Sequence, residues 1–323
     1  MMKAIVCNNY GPIEDLQFTN MPEPEPGSDE VVISVISSGV NFPDGLLVKG
    51  LYQAKPPTPF VPGGEVVGVI SEIGDQVKGY AVGDKVAALC QYGGWAERVK
   101  CNANLVMPMP ENANEDEVTA LLCGYGTAHH ALKQRAVLKP GETLVVTGAS
   151  GLTGLAAVQI GKAMGAKVIA VASSQDKLAL AKKNGADILL GYDNLRDELK
   201  AITDGQGVDV VFDVVGGEVF DACSRAMAWQ GRLLVIGFAS GTIPQFPINL
   251  ALVKGYSVVG VFWGAFACKQ PKDYAANMME LVQWYATGKI KPHVGQKFKL
   301  EDATAALQHI MERKAVGKIV LNP

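Results

Sequence analysis

The chain has 323 residues, of which 48% are hydrophobic and 19% charged, with 36 glycines and a formal net charge of −3. That length exceeds what one hydrophobic core ordinarily serves, so two domains are expected, and the composition is that of a well-packed α/β protein. The weakly acidic balance, with no cluster of lysine or arginine, gives no electrostatic footprint for nucleic acid or for an anionic membrane surface.

The start, Met1-Met-Lys-Ala-Ile-Val-Cys7, runs directly into a strand pattern without a signal-peptide core, and no apolar run approaches a membrane span. A cytoplasmic location is therefore expected. Residues 3–7 and 30–37 read as strands, separated by Met21-Pro-Glu-Pro-Glu-Pro26, a loop or extended edge because proline cannot donate to a central ladder. Residues 64–74, 84–89 and 95–99 continue as short strands broken by glycine turns, which suggests a partly closed, mostly antiparallel β unit. Cysteines stand at 7, 90, 101, 123, 223 and 268, none as Cys-x-x-Cys, so neither a zinc ribbon nor a redox dithiol is indicated.

From about residue 115 the pattern changes. A helical stretch containing 120–132 leads into Thr143-Leu-Val-Val-Thr147 and then Gly148, Gly151 and Gly154, followed by an Ala-rich helix. Strand, glycine turn and helix is the arrangement that seats a dinucleotide pyrophosphate on backbone N–H groups at a helix start. Further apolar runs at 167–172, 187–190, 208–213, 232–236 and 256–261 lack polar alternation and belong to parallel strands covered on both faces. Residues 273–288 form a helix, and 298–323 a strand, a helix at 302–313 and a last strand at 318–321, a tail expected to rejoin the first domain. The expected partition is 1–122, 123–264 and 265–323.

An NAD site normally carries Asp or Glu at the end of the second strand, about 20 residues past the glycines. Here Ala172, Ser173 and Ser174 stand there, with Lys177 one helical turn on, so no carboxylate repels a 2′-phosphate and a cation can receive it. NADPH is expected in preference to NADH, although Asp176 beside the lysine leaves use of both open.

Gly63-Gly-Glu-Val-Val-Gly68, Val82-Gly-Asp-Lys-Val86, the 148–154 loop, Gly185-Ala-Asp187, Asp209-Val-Val-Phe-Asp213 with Gly216-Gly217, and Gly231-Arg-Leu-Leu-Val-Ile-Gly237 follow one another in an order that resembles the medium-chain dehydrogenases/reductases. The chain is most similar to their zinc-independent quinone oxidoreductase, ζ-crystallin-like branch. The resemblance implies an α/β fold, a doubly wound parallel Rossmann sheet plus a GroES-like, mostly antiparallel β domain. Where the family's zinc enzymes carry a catalytic cysteine and Gly-His-Glu, this chain reads Asn41-Phe-Pro-Asp44 and Gly63-Gly64-Glu65. Glu65 alone cannot supply the three protein ligands of a catalytic zinc, and the cysteine-rich structural-zinc lobe is missing, so no metal is expected.

A quinone, or an alkene conjugated to a carbonyl, can accept hydride from nicotinamide C4 and spread the charge onto oxygen with little Lewis-acid help. The resemblance sets Asn41 at the former zinc position facing the nicotinamide, and Tyr52 near the substrate as a proton donor or as a packing aromatic. It also maps Ser174, Lys177 and Tyr192 to the 2′-phosphate and Ser150, Gly151, Leu152 and Thr153 to the pyrophosphate. Thr127, Phe238, Ala239, Ser240, Phe262, Trp263, Gly264 and Lys318 complete the implied cofactor wall. The implied activity is NADPH-dependent reduction of a quinone. Reduction of an enone or of an acryloyl- or enoyl-thioester is the enzymatic alternative, and a crystallin-like NADPH-binding protein the non-enzymatic one. A homodimer joined near the sheet edge at 258–261 is also implied.

Overall fold

The computed structural model describes residues 1–110 and 112–323. They divide into two units: Met1–Cys123 with Gly264–Ala286 and Pro292–Pro323, and Gly124–Trp263 with Thr287–Lys291. The first segment carries strands β1 (Met2–Val6), β2 (Gln17–Met21), β3 (Glu30–Val40), β4 (Glu65–Ile73), β5 (Lys85–Leu89), β6 (Arg98–Asn102) and β7 (Val106–Pro108). The second unit carries β8 (Thr143–Thr147), β9 (Lys167–Val171), β10 (Ile188–Leu190), β11 (Val208–Asp213), β12 (Met227–Val235) and β13 (Ser257–Gly260). β14 (Val294–Lys299) and β15 (Lys318–Asn322) follow in the tail.

In the first unit the sheet runs β14-β15-β3-β4-β5-β7, with β6 also paired to β3. Only β14 and β15 are parallel, and β15 lies antiparallel on β3 with Ile319 opposite Val40 and Val320 opposite Gly39. The tail thus adds two strands to the sheet of the first unit. β1 pairs with β2 in a separate two-stranded ribbon. β2 escapes sequence reading because its side chains are almost all exposed, which leaves no apolar alternation to detect. The short helix Phe42–Val48 is likewise absent from the strand pattern. Its start is set by the Asn41-x-x-Asp44 spacing, in which the Asn41 N–H donates to Asp44 Oδ2 at 2.7 Å, and by proline in its first turn. β6 begins three residues later than its predicted start, because Trp95 and Ala96 answer β1 instead: Ile5 N–H donates to the Trp95 carbonyl and Ala4 bridges Ala96.

The second unit is an all-parallel sheet of order β10-β9-β8-β11-β12-β13. Valine, leucine and isoleucine of β8, β9 and β11 are fully buried, as expected where helices cover both faces. The order reverses between β8 and β11, and in open parallel sheets ligands gather outside the carboxyl ends at such a switch. No helix among the described residues is long and apolar enough to cross a membrane.

Candidate active site

In the first unit, glycines of β3 and of the loop before β4 create a small interior cradle. A β-carbon on Gly39 would stand 2.1 Å from Glu65 Oε1 and 2.6 Å from Lys318 Nζ, so only glycine leaves room for that pair. Gly63, at φ +92°, would meet the Trp95 ring in the same way, and the Trp95 indole N–H donates to the Gly39 carbonyl at 3.0 Å. Inside the cradle, Lys318 and Glu65 are both fully buried and form an ion pair through Lys318 Nζ and Glu65 Oε1.

The ammonium spends its three N–H groups on Glu65, on Asn41 Oδ1 at 2.9 Å and on the Val40 carbonyl at 3.3 Å. Asn41 Nδ2 donates to Glu65 Oε1 at 2.7 Å, closing a ring of three side chains, while Glu65 Oε2 accepts the Cys123 N–H at 2.7 Å. Cys123 lies where the helix after Asn114 widens into a π-type turn, Leu121–Tyr125. With its orientation fixed from both ends, the half-buried Asn41 amide keeps one N–H for an outside acceptor.

This geometry revises the part expected of Lys318. A lysine of the cofactor wall would point its ammonium outward; here the head group is sealed inside and its donors are saturated by protein. The partner of Glu65 stands 253 residues further on, out of reach of any local spacing pattern. Glycine inside a strand, at position 39, was the available sign of a close approach.

Tyr52 is half-buried against the core that includes Leu47, Val48 and Phe60. Burial, with smaller contributions from Cys123 and Asp44, pushes its phenol up to about 12, so it remains a neutral O–H donor. Among the described residues no group of three or more His, Cys, Asp or Glu is placed to hold a metal ion.

In the second unit, three loops meet at the carboxyl edge. Gly148, at φ +60°, ends β8, and a β-carbon at Gly154 would stand 2.3 Å from the Gly148 carbonyl oxygen, so the turn and the helix Leu152–Ala163 pack without space for side chains. The first N–H groups of that helix, at Leu152, Thr153 and Gly154, have no carbonyl one turn back and face the loop end. Ser150 is buried, and Gly151, Leu152 and Thr153 are half-buried. Asp213 at the end of β11 accepts from Thr147 Oγ1 at 2.6 Å, Val215 N–H at 3.0 Å and Gly216 N–H at 3.1 Å, tying the β8 and β11 ends together. Phe238, Ala239 and Ser240 sit beside them, since the Ala239 and Ser240 N–H groups donate to the Val214 and Val215 carbonyls, each at 2.9 Å.

Beyond β9, Ser174 caps the helix Gln175–Lys183 by accepting the Lys177 N–H, and Lys177 Nζ reaches Ser173 Oγ at 3.4 Å. Ser173, Ser174 and Lys177 are therefore neighbours, whereas Tyr192, the third residue expected at the 2′-phosphate with Ser174 and Lys177, lies half-buried against the core that includes Ile169 and Val171. Thr127 and Trp263 are buried instead of lining an open edge: the Trp263 ring covers Gly126 and stands 6.1 Å from His130. Phe262 is exposed beyond β13, and Gly264 falls within the first unit.

Asp44 offers a pH test of the cradle. Its carboxyl is pushed up to about 7 by burial and further by Glu65, against the opposing effects of the Asn41 N–H, Lys318 and the Gly63 N–H. A carboxyl whose pKa is higher folded than unfolded binds its proton more tightly in the native state, so its contribution is present in full below about pH 4 and is lost as pH rises toward about 7. Urea unfolding across pH 4–8 should show that decline in the wild type and a flatter profile in Asp44→Asn. Parallel profiles would contradict the assignment.

Two family models match the chain: one described as "Alcohol dehydrogenase GroES-like domain" over residues 27–111, the other as "Zinc-binding dehydrogenase" over 153–284. The chain is 38% identical to "Quinone oxidoreductase-like protein 2 homolog" of Nematostella vectensis over 99% of this chain and 88% of that one. It is 30% identical to "Acryloyl-coenzyme A reductase" of Sulfurisphaera tokodaii over the whole of both. The solved structure of Escherichia coli quinone oxidoreductase complexed with NADPH superposes with a TM-score of 0.91 at 27% identity, covering 100% of this chain and 99% of that one. With the parallel sheet, the antiparallel domain and the ordered motifs already described, these matches make the chain a member of the zinc-independent quinone oxidoreductase branch of the medium-chain dehydrogenases/reductases.

Proposed function

We propose that this oxidoreductase transfers hydride from NADPH to a quinone without a metal. The observation that carries the cofactor half is the Ser173, Ser174 and Lys177 cluster at the end of β9, where a carboxylate would otherwise exclude a 2′-phosphate. The residues fit such a nucleotide. The glycine turn admits close backbone approach, the helix start at Gly151 to Thr153 suits a pyrophosphate, and Phe238 to Ser240 lie along the same edge for the nicotinamide half. When bound, the nicotinamide supplies the hydride.

The protein's own contribution is to orient the acceptor and to meet the charge that develops on its oxygen. The Asn41 N–H that remains and the neutral Tyr52 hydroxyl are the donors for that oxygen. Both act as hydrogen-bond donors that keep their protons at neutral pH, and the proton that completes the hydroquinone comes from solvent. Reduction of an activated C=C bond uses the same donors, and the acryloyl-coenzyme A reductase relative gives that second reading its support.

For the assembly we read β13 as the seam of a homodimer. It is the sheet's outer strand with Val258 exposed, and the neighbouring helix Asn249–Lys254 buries none of its residues while Ile248, Leu252 and Val253 face outward.

Side-by-side turnover of NADPH and NADH with a benzoquinone, an enone and acryloyl-CoA tests the activity. The quinone should be reduced fastest, and Lys177→Ala should weaken NADPH about tenfold, the size of one lost charge-assisted contact, while NADH is barely affected. Preference for the thioester would favour the second reading, and equal losses for both nucleotides would remove Lys177 from the phosphate site. Light scattering should give twice the chain mass for the wild type and the single-chain mass for Val258→Asp; a monomeric wild type would remove the seam.

A further inference from the structure

Lys318 is remote in sequence from every other residue of the cradle, fully buried, and directed at the one amide that the proposed chemistry uses. A buried lysine needs every N–H satisfied, and its three acceptors are the Val40 carbonyl, Asn41 Oδ1 and Glu65 Oε1. Two of these belong to the backbone and side chain that open the helix Phe42–Val48. The third also receives Asn41 Nδ2 at 2.7 Å. The carboxamide is thereby held at both ends: a 180° flip would turn its NH2 toward the ammonium and its oxygen toward the carboxylate, and both contacts would become repulsive.

From this geometry we infer that Lys318 is a positioning residue for the reaction. Acting with Glu65, it fixes which face of the Asn41 amide meets the substrate, so that the free N–H and not the oxygen is presented to an acceptor oxygen. It touches neither nucleotide nor substrate. The inference rests on the reading of Asn41 as a donor to the acceptor, and it adds specificity to that reading, because an amide that presents its N–H and not its oxygen favours acceptors with a carbonyl oxygen. The glycine at 39 belongs to the same device, since any β-carbon there would displace both charged groups.

The test is a double-mutant cycle between Lys318→Met and Asn41→Ala, measuring kcat and KM for a benzoquinone and the Kd for NADPH by fluorescence titration. Lys318→Met should lower kcat about tenfold or more, the size of one charge-assisted hydrogen bond, with NADPH Kd unchanged. In the Asn41→Ala background the same change should have almost no effect on kcat. Because Lys318→Met leaves a buried carboxylate unpaired, the cycle is repeated with Lys318→Met/Glu65→Gln, which removes that charge and keeps one oxygen as acceptor, for Asn41 or for the Cys123 N–H but not both; it should melt above Lys318→Met while retaining the loss in kcat. Equal losses with and without Asn41 would reduce Lys318 to a structural cation, and a raised NADPH Kd would return it to the cofactor wall; either outcome overturns the inference while leaving the donor reading intact. Full activity in Asn41→Ala would overturn the donor reading itself.

Discussion

An ammonium and a carboxylate removed together from water, Lys318 and Glu65, set the terms for the first unit. Taking either charge out of solvent costs several kcal/mol, and mutual attraction compensates only when the remaining donors and acceptors are met as well. Here they are met by Asn41, the Val40 carbonyl and the Cys123 N–H. The pair dictates glycine at position 39. It requires β15 to lie beside β3 so that a residue near the end of the chain can reach the start of the sheet, and it orients the amide at the head of the helix Phe42–Val48. The Asn41 amide is thus organised around an internal cation supplied by the chain itself.

The second unit applies the same logic with a different group. Asp213, buried at the end of β11, accepts hydrogen bonds from Thr147 and from the backbone of Val215 and Gly216. Its acceptors are thereby filled and the loops that follow β8 and β11 are drawn together. The segment 238–240 is then tethered to 214–215 by backbone bonds. A glycine turn, a helix start and a short aromatic-bearing loop come to share one edge of the sheet. Rigid placement of such loops by buried polar anchors lets irregular backbone approach a ligand closely.

Much of this is legible in the sequence. Uninterrupted valine and isoleucine runs name parallel strands, and β8 and β11 fall at their predicted limits because both are bounded by turn residues and buried on both faces. The serine pair and lysine after β9 were legible because their meaning depends only on local spacing. What was hidden is non-local or patternless. β2 is exposed along its length, and the helix Phe42–Val48 is too short to establish a period. The Lys318–Glu65 pair spans 253 residues, a separation at which no periodicity argument connects two charges. Trp263 illustrates a third case: its place after β13 suggested a ligand wall, but Gly126 leaves a gap in the neighbouring helix that the indole fills.

The claim that a sealed lysine ammonium organises the first unit is open to direct observation. Solvent-exposed lysine ammonium protons exchange with water too fast to be seen at neutral pH, whereas a buried, fully hydrogen-bonded one is protected. Heteronuclear NMR of the lysine Nζ groups at pH 7 should show one protected ammonium signal in the wild type that disappears in Lys318→Met. A spectrum in which no ammonium is protected, or one in which the protected signal persists in that variant, would contradict the account.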